Sequence, residues 1–211
     1  MKLFRMLMLA LFGSAIFFAC STGTKSGDKE NGEKKESCTY AYNADSTSFK
    51  WTAYKYTTRA GVSGTFDGIT VSNTMPSGNK FDVLKGAEFI INTASVNSGN
   101  AERDPKVVEF FFGNLLSSET ISGKINSINN DEAVITVTMN EKTVDVIGKL
   151  NADGERVKLT AQIDLNDFDG SGAVSVLNEK CHDLHTGDDG VSKLWPDVSI
   201  EVSTVLTKEC N

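Results

Sequence analysis

An antiparallel all-β domain of about eight strands, closed into a barrel or stacked as a sandwich and carrying one or two short helices, is the predicted fold class. Three observations predict it. Apolar and polar residues alternate with period two in one run after another, so each strand has one dry face and one wet face. Turn signals rich in Asn, Asp and Gly separate the runs. Residues 38–211 of the 211-residue chain are the size of one ordinary domain, so no second domain is required.

Taken in order, Cys38 opens the first strand region, and Phe49, Trp51 and Ala53 then alternate with Lys50, Thr52 and Tyr54. Val62, Gly64 and Phe66 lead into Ile69 and Val71, while Phe89 and Ile91 alternate with Glu88 and Asn92. A weaker stretch runs from Glu119 to Ile128. Ala133, Ile135, Val137 and Met139 alternate with Val134, Thr136 and Thr138, and a shorter stretch follows around Val144, Val146 and Gly148. Val157, Leu159, Ala161, Ile163 and Leu165 alternate with Lys158, Thr160, Gln162 and Asp164; Val198, Ile200 and Val202 alternate with Ser199, Glu201 and Ser203. Asn129-Asn130-Asp131 and Asn151-Ala152-Asp153-Gly154 read as hairpin connections.

Two stretches break the alternation. Asp104-Pro105 reads as an N-cap with proline at the first helical position, followed by Val107, Val108, Phe110 and Phe111, a short helix that plugs or flanks the barrel. Val174, Leu177, Cys181 and Leu184 fall at helical spacing and predict a second helix over about residues 173–184, with the cysteine on its apolar stripe. After it, Asp188, Asp189 and Trp195-Pro196 fall in a Gly-containing loop expected over the barrel mouth.

The first 37 residues read as addressing and tether. Lys2 and Arg5 precede an apolar run from Met6 to Phe18, and Ala19-Cys20 follows, the pattern of a signal segment at 1–19 cleaved before a lipidated Cys20. The run falls short of the roughly 20 apolar residues a spanning helix needs. The expectation is therefore a lipid anchor. From Ser21 to Ser37 no large apolar residue occurs, so the segment cannot bury enough surface to offset its ordering entropy and reads as a flexible linker. Its reach would be roughly 20 to 25 Å. The expected location is the bacterial cell envelope, on the periplasmic or outer-membrane face. The formal charge of −7 becomes −9 once Lys2 and Arg5 leave with the signal, which argues against nucleic-acid partners.

Val62-Ser63-Gly64-Thr65-Phe66, then Phe89 through Val96, then Arg103-Asp104 and Phe110-Phe111 together resemble the YceI-like family. The resemblance runs from about Phe49 to Leu206 and is most specific between Val62 and Phe111. It implies a lipocalin-like antiparallel barrel, export, and a polyisoprenoid or quinone-like chain bound inside the barrel. The sequence departs from the family pattern in three places. Tyr56, Thr57 and Thr58 occupy the neighbourhood of the usual histidine, the threonine-and-glycine strand pair is reduced to Thr143 through Leu150, and Arg-x-x-Phe-Gly appears only as Asn166 through Gly170.

Trp51, Phe66, Phe89, Ile91, Phe110, Phe111, Ile135, Val137 and Leu159 are predicted to point inward, either packing as core or lining a site for an apolar lipid. Arg103 is the candidate for fixing a ligand head group, or for pinning the helix to the barrel while Asp104 caps it. If the first and last strands pair antiparallel to close the barrel, Cys38 and Cys210 come together, and they are the preferred disulfide in an exported protein. That leaves Cys181. With His182 and His185 it forms a candidate metal or redox site, against the alternative of a buried thiol beside two surface histidines. Neither a Gly-x-Ser-x-Gly elbow, nor a phosphate loop, nor a metalloprotease helix is present, so the reading is a binding protein without catalysis. Dimerisation is left open.

Overall fold

The computed structural model describes residues 37–211. The signal segment, Cys20 and nearly all of the linker lie outside the described residues. Twelve strands are formed: β1 (Cys38–Ala41), β2 (Ser48–Lys55), β3 (Ala60–Phe66), β4 (Ile69–Ser72), β5 (Glu88–Asn92), β6 (Val96–Asn97), β7 (Thr120–Asn129), β8 (Glu132–Met139), β9 (Lys142–Asp153), β10 (Arg156–Asp164), β11 (Leu194–Val205) and β12 (Thr207–Cys210). Three short α-helices accompany them: α1 (Asp104–Phe110), α2 (Ser171–Lys180) and α3 (His182–His185). Among the described residues no helix is long and apolar enough to cross a membrane.

Ten strands form one curled antiparallel sheet in the order β4-β5-β7-β8-β9-β10-β11-β2-β3-β6. The strand count exceeds the expected eight because two strands are bent. β3 turns into β4 at Asp67-Gly68, and β5 turns into β6 through a 3-10 turn at Thr93–Ser95. The pairing continues across both bends, since Asp67 N donates to Ser95 O at 2.9 Å, Gly68 N to Ser95 Oγ at 2.8 Å and Asn92 N to Gly68 O at 2.8 Å. Each bent pair thus acts as one long strand, and β3–β4 against β5–β6 brings the two ends of the sheet together. Counted this way, the expected barrel of eight is what the chain builds.

Most strands fall where alternation places them, with two extensions. β9 runs to Asp153, well past the short stretch expected around Val144 to Gly148, so Asn151, Ala152 and Asp153 are strand and the turn is carried by Gly154, whose φ is +56°. β11 begins at Leu194, and its register against β2 shifts between Leu194 and Val198, where Pro196 lacks the N–H needed for a ladder bond.

The first and last strands do pair antiparallel, and Cys38 and Cys210 are bridged. That pairing does not close the barrel. β1 and β12 form a separate two-stranded ribbon, and the barrel is carried past them by β11 against β2. Among the described residues the barrel strands pack around one connected core.

The second helix is interrupted. α2 ends at Lys180, Cys181 leaves helical geometry at φ −115° and ψ 29°, and α3 adds a single turn. Cys181 is buried as the apolar stripe predicts, whereas Leu184 is exposed.

Candidate functional site

The inward faces of the barrel enclose a cavity of about 680 Å³, within the range of sites that hold small molecules. Trp51, Phe66, Phe89, Ile91, Phe111, Ile135, Val137 and Leu159 all line it. They come from β2, β3, β5, the end of α1, β8 and β10, and they share a face because successive side chains of a strand point to opposite sides.

Two glycines shape this interior. Trp51 is directly opposite Gly64, and Phe89 is opposite Gly123. A Cβ on Gly64 would collide with the Trp51 ring and with Asn97 O; one on Gly123 would collide with the Phe89 ring and with Thr136 O. The missing Cβ atoms let each aromatic ring lie across the neighbouring strand. Trp51 Nε1 then donates to Thr65 O at 3.1 Å, so the indole is also satisfied. Phe66 links Phe49 and Phe112 with ring centroids 5.9 and 6.0 Å away, and Phe111 meets Phe112 at 5.0 Å.

Two expected site residues are not on the cavity wall: Arg103 and Phe110. The helix α1 turns Val107 and Phe111, four residues apart, toward the cavity, and Phe112 follows them inward, leaving Phe110 off that face. Arg103 sits at the N-cap position with no side-chain cap and enters no ion pair among the described residues. Nor does Asp104 cap the helix. It is the first helical residue, and its Oδ1 accepts from Ser98 N at 2.9 Å and Ser98 Oγ at 2.5 Å, holding the loop after β6.

Sequence reading misses several wall residues. Trp195 and Leu194 line the cavity from the start of β11, and Val174 and Leu177 line it from α2. In the sequence Trp195 is legible only as part of a loop over the barrel mouth. Its Nε1 donates to Tyr56 O at 2.7 Å, and the Arg59 guanidinium and Lys193 ammonium lie 4.4 and 3.7 Å from its ring. Arg59 is in turn paired with Asp197, which also accepts from Gln162. No signal in the strand pattern marks this cluster, because it joins the β2–β3 turn to β11 across the sheet.

The metal expectation at Cys181, His182 and His185 is not met by the geometry. Among the described residues no three His, Cys, Asp or Glu side chains are arranged to hold an ion. Cys181 is buried, while the exposed His182 turns its Nδ1 to Asp183 Oδ1 at 3.3 Å. Cys181 and His185 stay one turn apart, His185 N donating to Cys181 O at 3.2 Å, but no third ligand side chain joins them among the described residues. His185 is half-buried, and its Nδ1 has no hydrogen-bond partner. Burial, then the nearby Lys55 charge, push its pKa down to about 4, with the Asn178 backbone pulling weakly the other way.

A closed antiparallel barrel around an apolar cavity defines a class of lipocalin-like proteins. Within that class the match to a known family is direct: the family model of the YceI-like domain matches residues 40–206, and the chain belongs to that family. No curated protein matches. Among solved structures, a polyisoprenoid-binding domain from Saccharophagus degradans, implicated in plant cell wall breakdown, is similar at 12% identity and a TM-score of 0.54, over 83% of this chain and 99% of that one. Burkholderia cenocepacia BcnA is 13% identical with a TM-score of 0.45, over 76% of this chain and 96% of its own. A Campylobacter jejuni YCEI protein is 16% identical with a TM-score of 0.44, over 72% and 86%. At 12% identity the likeness to the Saccharophagus degradans domain is one of fold.

Proposed function

We propose that this protein binds a long apolar lipid, a polyisoprenoid or quinone-like chain, inside its barrel and acts as a carrier or sequestering module. The observation that carries the reading is the cavity of about 680 Å³, walled by aliphatic and aromatic side chains contributed by nearly every barrel strand. A chain-shaped lipid gains there by leaving water, at about 25 cal/mol per Å² of apolar surface before association costs. The polyisoprenoid-binding name of the Saccharophagus degradans relative supports the same ligand class. In this reading Cys20 carries the lipid anchor, residues 21–37 are the tether, and the barrel works at the surface of a bacterial envelope membrane without catalysing a reaction.

The test is native mass spectrometry with organic extraction of the chain from Ser21 onward, produced in a bacterial periplasm. A bound mass that survives purification and extracts as an isoprenoid or quinone is the expected result. A barrel that stays empty when offered such lipids would overturn the reading. Labelling of the full chain with radioactive fatty acid, lost in Cys20→Ala, tests the anchor.

A further inference from the structure

We infer, resting on the lipid-binding reading above, that the ligand enters and leaves the barrel sideways, through a window between β2 and β4, and not through either end. β2 pairs with β11 from Ser48 onward, yet its pairing with β3 covers only Trp51 to Lys55. Past Gly64, β3 pairs at Thr65 and Phe66 with β6 on its other side, and the chain continues through Asp67-Gly68 into β4, which pairs only with β5. Ser48 to Lys50 and β4 therefore run side by side as two strand edges with no backbone ladder between them among the described residues. A fully closed barrel has no such edges.

The cavity reaches solvent at the same place. Of the residues lining it, Ala44, Ser48 and Asp67 are the exposed ones. Ala44 lies in the 3-10 turn just before β2, Ser48 is the first residue of β2, and Asp67 marks the bend where the β3–β4 chain has parted from β2. Between these lips the half-buried Phe49, Ile69 and Val71 belong to the wall, so the passage is lined by apolar side chains. An isoprenoid chain sliding across them keeps its apolar surface against apolar surface.

Both ends are plugged instead. Where β2 turns into β3, Val107 and Phe111 from α1 and Val174 and Leu177 from α2 stand on the wall, and the buried Phe112 packs between Phe66 and Phe111. At the opposite end the buried Leu84 and Ala87 fill the same role. The free edge of β6 is covered as well, because α1 packs beside it. Opening an end would pull buried aromatic rings out of contact, whereas parting two edges that share no ladder breaks no backbone hydrogen bond.

Farnesol, an isoprenoid alcohol, is the probe. Its binding to the chain from Ser21 onward, with the disulfide intact, is followed by stopped-flow fluorescence of Trp51 and Trp195, which both line the cavity, and its release by capture into excess phosphatidylcholine vesicles. Ala44→Arg/Ser48→Arg places two long charged side chains on one lip, at exposed positions where substitution leaves the fold intact. Association and release are both expected to slow about tenfold, because an obstructed path raises the barrier in both directions alike. Each single substitution should slow both rates by less. Ile147→Arg, at an exposed position on the outer face of β9, should change neither. Release that quickens while association is unchanged would make the lip a contact of the bound lipid, and rates equal to those of the unaltered chain would put the route elsewhere; either result overturns the window while leaving lipid binding intact. Failure of farnesol to bind the unaltered chain overturns the lipid-binding reading itself, and the window with it.

Discussion

The barrel interior and the Cys181–His185 segment both concentrate candidate residues, and folding treats them in opposite ways. Trp51 and Leu159 are more than a hundred positions apart, yet they share one cavity wall. Cys181, His182 and His185 lie within one turn's reach in sequence, yet they do not converge on a point. Strand alternation propagates through a sheet, because every ladder pairing repeats the same inside and outside choice. A short helical segment has no such reinforcement. Cys181 leaves helical geometry at the end of α2, and only a single turn follows it.

The comparison can be broken or sharpened by substitution. The largest effect is expected in the solid core beside the cavity, where Phe168 is only 1% exposed. Phe168→Ala should cost about 3–5 kcal/mol, seen as a lower urea midpoint at unchanged slope. A midpoint shift no larger than that of a surface change would mean the core is not packed as described.

Next comes the ribbon. Replacing both Cys38 and Cys210 by Ala frees a loop spanning 172 positions and should cost about 2–5 kcal/mol in the unfolding free energy. Because the ribbon stands outside the barrel, the cavity should survive. Ligand binding at low denaturant is the check on that separation.

A smaller effect is expected at His185. Its folded pKa of about 4 lies below the ordinary value of 6.5, so the unfolded chain takes the proton first. The stability held by neutral His185 is complete above pH 6.5 and is lost as pH falls through the window down to about 4. Unfolding midpoints compared at about pH 7 and pH 5 should fall more steeply in the native protein than in His185→Gln. Equal slopes would mean the ring is not held buried and neutral.

The smallest effects belong to the exposed members of the same segment. His182→Ala and Leu184→Ala should each change stability by no more than about 0.5 kcal/mol, by the same urea titration. A large loss in either would revive a structured site at Cys181.

Much of the fold was legible because it is local and periodic. Strict alternation does not arise by chance over a run such as Ala133 to Met139, and every second residue there is buried. The Cys38–Cys210 bridge was legible from the positions of the first and last strands, although the inference that these strands close the barrel was not right. Most of the expected inward aromatics do line the cavity, since period two alone decides their side. Arg103 and Phe110 were misplaced because a short helix offers no repeat long enough to fix its rotation. Trp195 was hidden because its neighbours, Arg59 and Tyr56, arrive from the far side of the chain.

The sequence by itself determined the all-β class, the faces of the strands, the family resemblance and the expectation of an apolar interior, because each rests on alternation or on residues adjacent in the chain. Only the tertiary structure decided that ten strands act as eight, that the ribbon stands apart, and that the cavity remains open. Those outcomes depend on where two strands bend and on whether opposing side chains meet across the barrel, distances that no local pattern encodes.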